Sequence, residues 1–465
     1  MTRFYIEQFG CRATQADAAA IERQLRDRGF AAASAPECAD VVIVNTCTVT
    51  AAADAQARDA IRKLHARNPN TRVIATGCYA QRAPEELAAL PGVARVVGNS
   101  HKPEIPWVVD SIQCGPAGSA ANGFVPASAL GNESLSLLQG PAKILSGNIF
   151  EQRVLLGAPV VGGEGNHTRP VVKIQDGCNS RCAYCVIPFV RGRSRSLPAE
   201  QVIEEIARLS SDGYREIVLS GINLGTYGRD LSPRVELIEL LRRILDETSI
   251  ERLRISSIEP MDVTEELVAI FASSERMAQH FHMPLQSGCD RVLSAMHRWY
   301  RAEHYERRVE LIRGRLPDAA IGADVIAGFP GETEWEHAET LAFVQRLPFS
   351  YLHVFSFSQR PGTRAAELAG QVSAPAVKSR ARELRALGEE KMKEFRRSQV
   401  GRVLQVLTLR QTKDSRATTP AISSNYLQLQ LQCKIPPNEW VNVRISERED
   451  GVIGELASCA TAGAV

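Results

Sequence analysis

Two long stretches of the chain alternate short apolar runs with helical patterns, and this alternation limits the fold more than any other feature. In the first stretch, FYIEQFG, VVIVNT and RVIATG are runs of strand length closed by turn residues. Between them lie QADAAAIERQLRDRGF, with Ile21 and Leu25 one turn apart, and a helix from Ala51 to Arg67; a short helix near PEELAAL follows. The second stretch repeats the scheme with PVVKIQ, REIVLSG, RLRISSI, HFHMPLQ, AAIGADVIAG and YLHVFSFS. Patterns such as QVIEEIARL, VELIELLRRIL and EHYERRVELIRGRL separate most of these runs. Such alternation predicts an α/β protein: a parallel sheet with helices on its faces in the first stretch, and a barrel in the second. Six units are too few to close an eightfold barrel, so the second reads as an open, partial (βα)6 barrel.

Residues 114–167 break the pattern, with ten Gly and only five charged residues, Glu133, Lys143, Glu151, Arg153 and Glu164. They read as an inter-domain linker or insertion, of which KILSGNIFEQRVLLGAPVV is apolar enough to pack onto a domain. Near the C-terminus, SRARELRALGEEKMKEFRRS reads as a charged helix. VLQVLTL, NYLQLQLQ, EWVNVRI and GVIGEL then read as short strands of a small all-β barrel. The expected division is 1–113, 114–167, 168–396 and 397–460.

Lys+Arg number 55 and Asp+Glu 53, a net charge of +2, which excludes a histone-like polycation. Charge is nevertheless focused: the tract from Lys378 to Arg416 carries twelve Lys/Arg against five Asp/Glu. That is either a polyanion-binding face or a solvated helix. No apolar run is long enough to cross a bilayer, and MTRFYIEQFG lacks the zones of an export signal, so a cytoplasmic protein is expected. Eleven cysteines without an export signal favour metal or redox use of thiolates over a disulfide framework.

Cys178, Cys182 and Cys185 lie in IQDGCNSRCAYC, directly after the first strand of the second stretch. Three thiolates on one loop can hold three irons of a cubane cluster and leave the fourth iron open. The alternative is structural zinc, which prefers four closed ligands. A second trio is dispersed: Cys11 follows the first strand in QFGC, Cys47 the second in VNTC and Cys78 the third in ATGC. A parallel sheet gathers the C-terminal ends of its strands along one edge, so these three should converge. The alternative is three ordinary core cysteines. Cys38, Cys114, Cys289, Cys433 and Cys459 follow no such pattern and read as structural.

CNSRCAYC resembles the cluster loop of radical S-adenosylmethionine enzymes, and the chain outside 114–167 resembles the methylthiotransferases among them. The resemblance rests on IQDGCNSRCAYCVIPFVRGRSRS, VLSGINLGTYG, RISSIEP, HMPLQSGCDRVLSAMHRWY, GADVIAGFPGETE and HVFSFSQRPGTRAA. RISSIEP and HVFSFSQRPGTRAA are similar to the MtaB branch, which acts on N6-threonylcarbamoyladenosine 37 of tRNA. The C-terminal barrel resembles a TRAM domain, an OB-like RNA-binding module. The family implies two 4Fe-4S clusters. One, on Cys178, Cys182 and Cys185, binds S-adenosylmethionine and cleaves it to a radical that takes hydrogen from C2 of the adenosine. The other, on Cys11, Cys47 and Cys78, supplies sulfur, and a second S-adenosylmethionine supplies the methyl group. The implied partners are a tRNA anticodon loop, a single-electron donor protein and a sulfur donor, with no membrane. Thr14 departs from the family, which has Asn three residues after the first cysteine, and Cys289 stands where Ser is usual.

Against that background Tyr184, between two cluster cysteines, and Gly221, Ser256, Gln286 and Asp324, at predicted strand ends, are expected to contact the cofactor; the alternative for each strand-end residue is a turn or cap. Arg191, Arg193 and Arg195 either grip tRNA phosphates or belong to a solvated loop. Three other functions share parts of the pattern: a methylthiotransferase for N6-isopentenyladenosine 37, one for a ribosomal protein, and a non-catalytic iron–sulfur RNA-binding protein.

Overall fold

The structure, a computed structural model, describes residues 2–113, 141–153, 155–156, 160–162, 167–411, 418–448 and 451–457. Cys114, Cys459, Lys413 and Arg416 lie outside the described residues. The chain forms two compact units: residues 1–158 with 177–179 and 185–193, and residues 159–176 with 180–184 and 194–465.

The first unit is built on one parallel sheet. Its strands are β1 (Arg3–Gln8), β2 (Ala31–Ala32), β3 (Val41–Thr46), β4 (Arg72–Gly77), β5 (Val93–Gly98) and β6 (Lys143–Leu145), in the order β2-β1-β3-β4-β5-β6. Every residue of β3 is buried, as a central strand covered on both faces requires. Alternation along it sends Val42 and Val44 to one core, with Ala57, Ile61 and Leu87. Val41 and Ile43 go to the opposite core, with Ile21, Leu25 and Val109. The helix Ala51–Arg67 starts where Thr50 accepts a hydrogen bond from the Ala53 amide at 3.2 Å. β6 comes from the low-charge stretch after residue 140 and pairs in parallel with β5.

The second unit holds the barrel. Its strands β7 (Val160–Gly162), β8 (His167–Lys173), β9 (Gln175–Asp176), β10 (Arg195–Ser196), β11 (Glu216–Ser220), β12 (Arg252–Ile255), β13 (His280–His282), β14 (Ala320–Ala327) and β15 (Tyr351–Ser356) follow in order. β8, β11 and β12 form one parallel set and β13, β14 and β15 another; a bridge from Leu253 to Met277 joins the two sets. β9 and β10 make a small antiparallel pair. Six parallel strands in sequence order give the open (βα)6 barrel. The helix Ala374–Ser398 packs along β15. β16 (Val403–Thr408), β17 (Thr419–Ser423), β18 (Gln428–Leu431), β19 (Trp440–Arg448) and β20 (Gly451–Leu456) close the C-terminal barrel.

An ion network ties that module to the N-terminal ends of the barrel strands. Glu216, fully buried at the start of β11, meets Arg254 at 2.8 Å, Arg169 at 3.1 Å and Arg252 at 3.4 Å. Arg254 also donates to the carbonyls of Ser423 and Ser424 at 3.0 and 3.1 Å. Burial raises the Glu216 pKa, but the three guanidinium groups outweigh it and hold it at about 2, against 4.5 ordinarily. Its contribution to stability is therefore complete above pH 4.5 and is lost only as the pH falls from there toward 2. Glu216→Gln strands buried arginines and is expected to destabilise the second unit by about 3–5 kcal/mol, read as a lower unfolding midpoint at neutral pH.

Candidate metal centres

β1, β3 and β4 are neighbours in the first sheet, and a cysteine follows each at the same edge. Cys11 is exposed, whereas Cys47 is 6% and Cys78 2% exposed. The glycines before two of them are steric requirements. Gly10 has φ +103°, and a Cβ there would stand 2.6 Å from the Cys47 Cβ and 2.9 Å from its Sγ. Gly77 has φ +100°, and a Cβ there would stand 2.3 Å from the Thr46 carbonyl. Positive φ and close approach both exclude a side chain. Burial, and then Cys78, push the Cys47 thiol up to about 12, with Cys11 adding to the effect. Without a cation the Cys47 sulfur keeps its proton; an iron–sulfur group supplies the missing positive charge. The donor set fits such a cluster.

Around this trio lies a shell that the sequence did not disclose. Asn99 Nδ2 donates to Cys78 Sγ at 3.5 Å and to the Val190 carbonyl at 2.7 Å. Thr14 Oγ1 lies 3.6 Å from Cys11 Sγ, so the residue that departs from the family pattern still reaches the first cysteine. Asp17, one turn further along the helix Arg12–Asp27, is 2% exposed and binds two buried cations. Lys102 Nζ is at 2.8 Å and Arg191 Nη2 at 3.0 Å. Arg191 Nη2 also donates to Thr14 Oγ1 at 3.4 Å. These two cations bring positive charge beside the trio, which favours an anionic cluster. Arg191 is therefore not a phosphate grip. Arg195 is also mostly buried, 3.6 Å from Asp176, and Arg193 is the exposed member of RGRSRS. One clue stood in the sequence: Asp17 is a single acid among the alanines of QADAAA.

The second trio is partly buried throughout. Gly177, before Cys178, has φ +72°, and a Cβ there would stand 2.1 Å from the Arg193 carbonyl. The Cys178 amide bonds to the Gly192 carbonyl at 3.0 Å. Cys182 Sγ receives a hydrogen bond from Arg298 Nη1 at 3.3 Å, and the same guanidinium pairs with Glu259. Ala183 is pinned on both sides, by its amide to Met296 at 2.9 Å and by its carbonyl to Ala365 at 2.8 Å. Tyr184 packs, half-buried, against the group of Ala183, Val292 and Phe329.

The remaining expected residues are placed as follows. Gly221 directly follows β11, where a Cβ would press on Leu224 at 2.8 Å and on Gln175 at 3.0 Å. Ser256 directly follows β12 and bonds through its amide to Leu219 at 2.9 Å. Gln286 does not end a regular strand: β13 stops at His282, and Gln286 has φ +68° beside Val325. Asp324 sits in the middle of β14 rather than at its end, because that strand runs on to Ala327.

Residues 172–344 match the radical SAM superfamily, and residues 3–98 match a family described as uncharacterized protein family UPF0004. The chain is 36% identical, over 91% of its length and 95% of the relative's, to the threonylcarbamoyladenosine tRNA methylthiotransferase MtaB of Aquifex aeolicus. The chain belongs to the radical S-adenosylmethionine methylthiotransferase family. Within this methylthiotransferase family, the MtaB protein of Bacillus subtilis is 35% identical over 86% of this chain and 83% of its own. A tRNA-2-methylthio-N6-dimethylallyladenosine synthase of Carboxydothermus hydrogenoformans is 31% identical over 87% of each. The fold alone is shared with the radical S-adenosylmethionine methyltransferase TsrM of Kitasatospora setae. Its TM-score is 0.54 and its identity 16%, covering 78% of this chain and 77% of that one.

Proposed function

We propose that this methylthiotransferase converts N6-threonylcarbamoyladenosine 37 of tRNA to its 2-methylthio derivative. The observation that carries the reading is the pair of three-cysteine sets, each on its own strand-end framework, in a chain 36% identical to an enzyme of that name. When bound, S-adenosylmethionine and the cluster on Cys178, Cys182 and Cys185 supply a carbon radical, and the cluster on Cys11, Cys47 and Cys78 supplies sulfur. The chain's own residues orient and insulate these groups. Gly77 and Gly177 let backbone close on backbone, and Gly10 lets the chain close on the Cys47 side chain, where an added Cβ would force them apart. Arg298 brings an N–H and a positive charge to Cys182, which steadies an electron-rich sulfur. Tyr184, Gly221, Ser256 and Gln286 are proposed to line the cofactor's place.

A tRNA needs a basic face. Lys378, Arg382 and Arg385 are exposed at helical spacing on one side of the helix Ala374–Ser398, whereas Arg380 and Lys391 turn inward, Arg380 onto Glu332 at 2.8 Å. Charge reversal at these three exposed positions is expected to weaken tRNA binding at least tenfold and to flatten its salt dependence, read by filter binding across a salt series. An electron donor and a sulfur donor complete the proposed partners, and a cytoplasmic setting suits all of them; no described helix is long and apolar enough to cross a membrane.

Mass spectrometry of tRNA nucleosides from a deletion strain tests the assignment. Loss of the 2-methylthio form of threonylcarbamoyladenosine, with its precursor accumulating, supports it. Loss of the isopentenyladenosine derivative instead transfers the chain to the sister activity, and unchanged nucleosides refute a tRNA substrate.

A further inference from the structure

Inside the barrel of the second unit stands a group of side chains around Asp324, which the sequence placed at a strand end beside the cofactor and which lies instead in the middle of β14. Ala323 and Val325 of β14 face the core beneath the helices. Asp324, between them, faces the other way, into the barrel. His353 is its register partner on β15, and His282 closes β13 on the other side. His282 Nε2 lies 3.0 Å from Asp324 Oδ1, and His353 Nδ1 lies 3.3 Å from the same oxygen. One donor atom from each residue falls within 4.8 Å of the other two.

The geometry points to a third metal site, in which His282, Asp324 and His353 hold one divalent transition ion of the zinc class. Donors bound at about 2.0–2.1 Å around a tetrahedral ion stand about 3.3 Å apart, and the two contacts to Asp324, at 3.0 and 3.3 Å, are close to that spacing. Two imidazoles and one carboxylate, with a further position open, form a recurrent set for such ions. The remaining nitrogen of His282 is already oriented: its Nδ1 meets the Tyr351 hydroxyl at 3.0 Å, and that hydroxyl meets His280 Nε2 at 2.8 Å. An outer partner of this kind fixes a ligating ring. Among the described residues, the two histidines are the ion-pair partners of Asp324. The carboxyl is held well below the ordinary carboxylate range: burial opposes ionisation, and the two imidazoles outweigh it. Asp324 is thus ionised at neutral pH and ready to ligate. The His353 side chain is 56% exposed, which gives an ion a way in. The open position leaves room for an oxygen donor from outside the chain.

The test uses the protein with its clusters in place. It is washed with a mild chelator, given one equivalent of zinc chloride, desalted and analysed for zinc and iron by mass spectrometry. Wild type is expected to retain about one zinc per chain, and Asp324→Asn and His353→Ala to bind at least tenfold more weakly with iron unchanged. His353→Ala removes a half-exposed side chain, so its unchanged iron content certifies the fold. A wild type that retains no zinc, or a His353→Ala chain that retains as much, overturns the site and leaves a hydrogen-bonded cluster only. Either result is independent of the nucleoside assay.

Discussion

Cys182→Ser is expected to abolish 5′-deoxyadenosine formation from the reduced protein and S-adenosylmethionine, whereas Cys47→Ser is expected to preserve that product and abolish the methylthio nucleoside. The two cysteines are proposed to serve different halves of the reaction, and their places in the fold fit defects that separate. Cys182 sits on the loop after β9, with Arg298 at 3.3 Å from its sulfur. Cys47 ends β3 in another sheet, 6% exposed, among the other sulfurs of its own trio. A serine at either position is close to isosteric, so packing changes little. What changes is ligation: a hydroxyl keeps its proton where a thiolate would bind iron. Iron per chain is therefore expected to fall from about eight to about four in each variant. Anaerobic iron and sulfide analysis, with chromatography of the nucleoside products, reads both effects. A Cys47→Ser protein that also fails to form 5′-deoxyadenosine would show that the two trios do not act separately.

The alternation of strands and helices was legible because central parallel strands are buried on both faces and so read as unbroken apolar runs. VVIVNT is the clearest case, with all six residues buried. The dispersed trio was legible for a topological reason: strand ends of a parallel sheet share an edge, and cysteines at three of them must meet. HFHMPLQ misled because apolar character continues beyond the strand. Pro284 has no N–H for a ladder and Gln286 turns to φ +68°, so the regular strand ends at His282 and only an isolated bridge from Gln286 to Val325 follows. Asp324 misled in the opposite sense, since GADVIAG continues as strand to Ala327. The shell around the N-terminal trio was hidden because its members are distant in the chain. Asp17 and Lys102 are 85 positions apart, and Asp17 and Arg191 are 174 apart. No local period reports such a pair. Arg191 also lies in RGRSRS, where basic composition suggested solvent, and only the carboxylate it meets shows that it is buried.

Asp17→Asn is expected to be the most damaging substitution in the first unit outside the cysteines. Asp17 pairs with both Lys102 and Arg191, and all three are nearly excluded from water. Removing its charge takes a shared counter-charge from two buried cations, at a cost of about 3–5 kcal/mol. Burial already pulls the Lys102 pKa down, with Asp17 opposing, so in the variant Lys102 gives up its proton more readily and the loss eases as pH rises. Lys102→Met in the same chain removes one stranded cation and should recover part of the loss, a coupling that a double-mutant cycle measures directly. The loaded protein should suffer less than the cluster-free one, because an anionic cluster on Cys11, Cys47 and Cys78 offers the cations a second counter-charge. Denaturant unfolding of both forms reads this difference. Equal destabilisation with and without iron would mean that this positive charge serves the fold and not the cluster beside it.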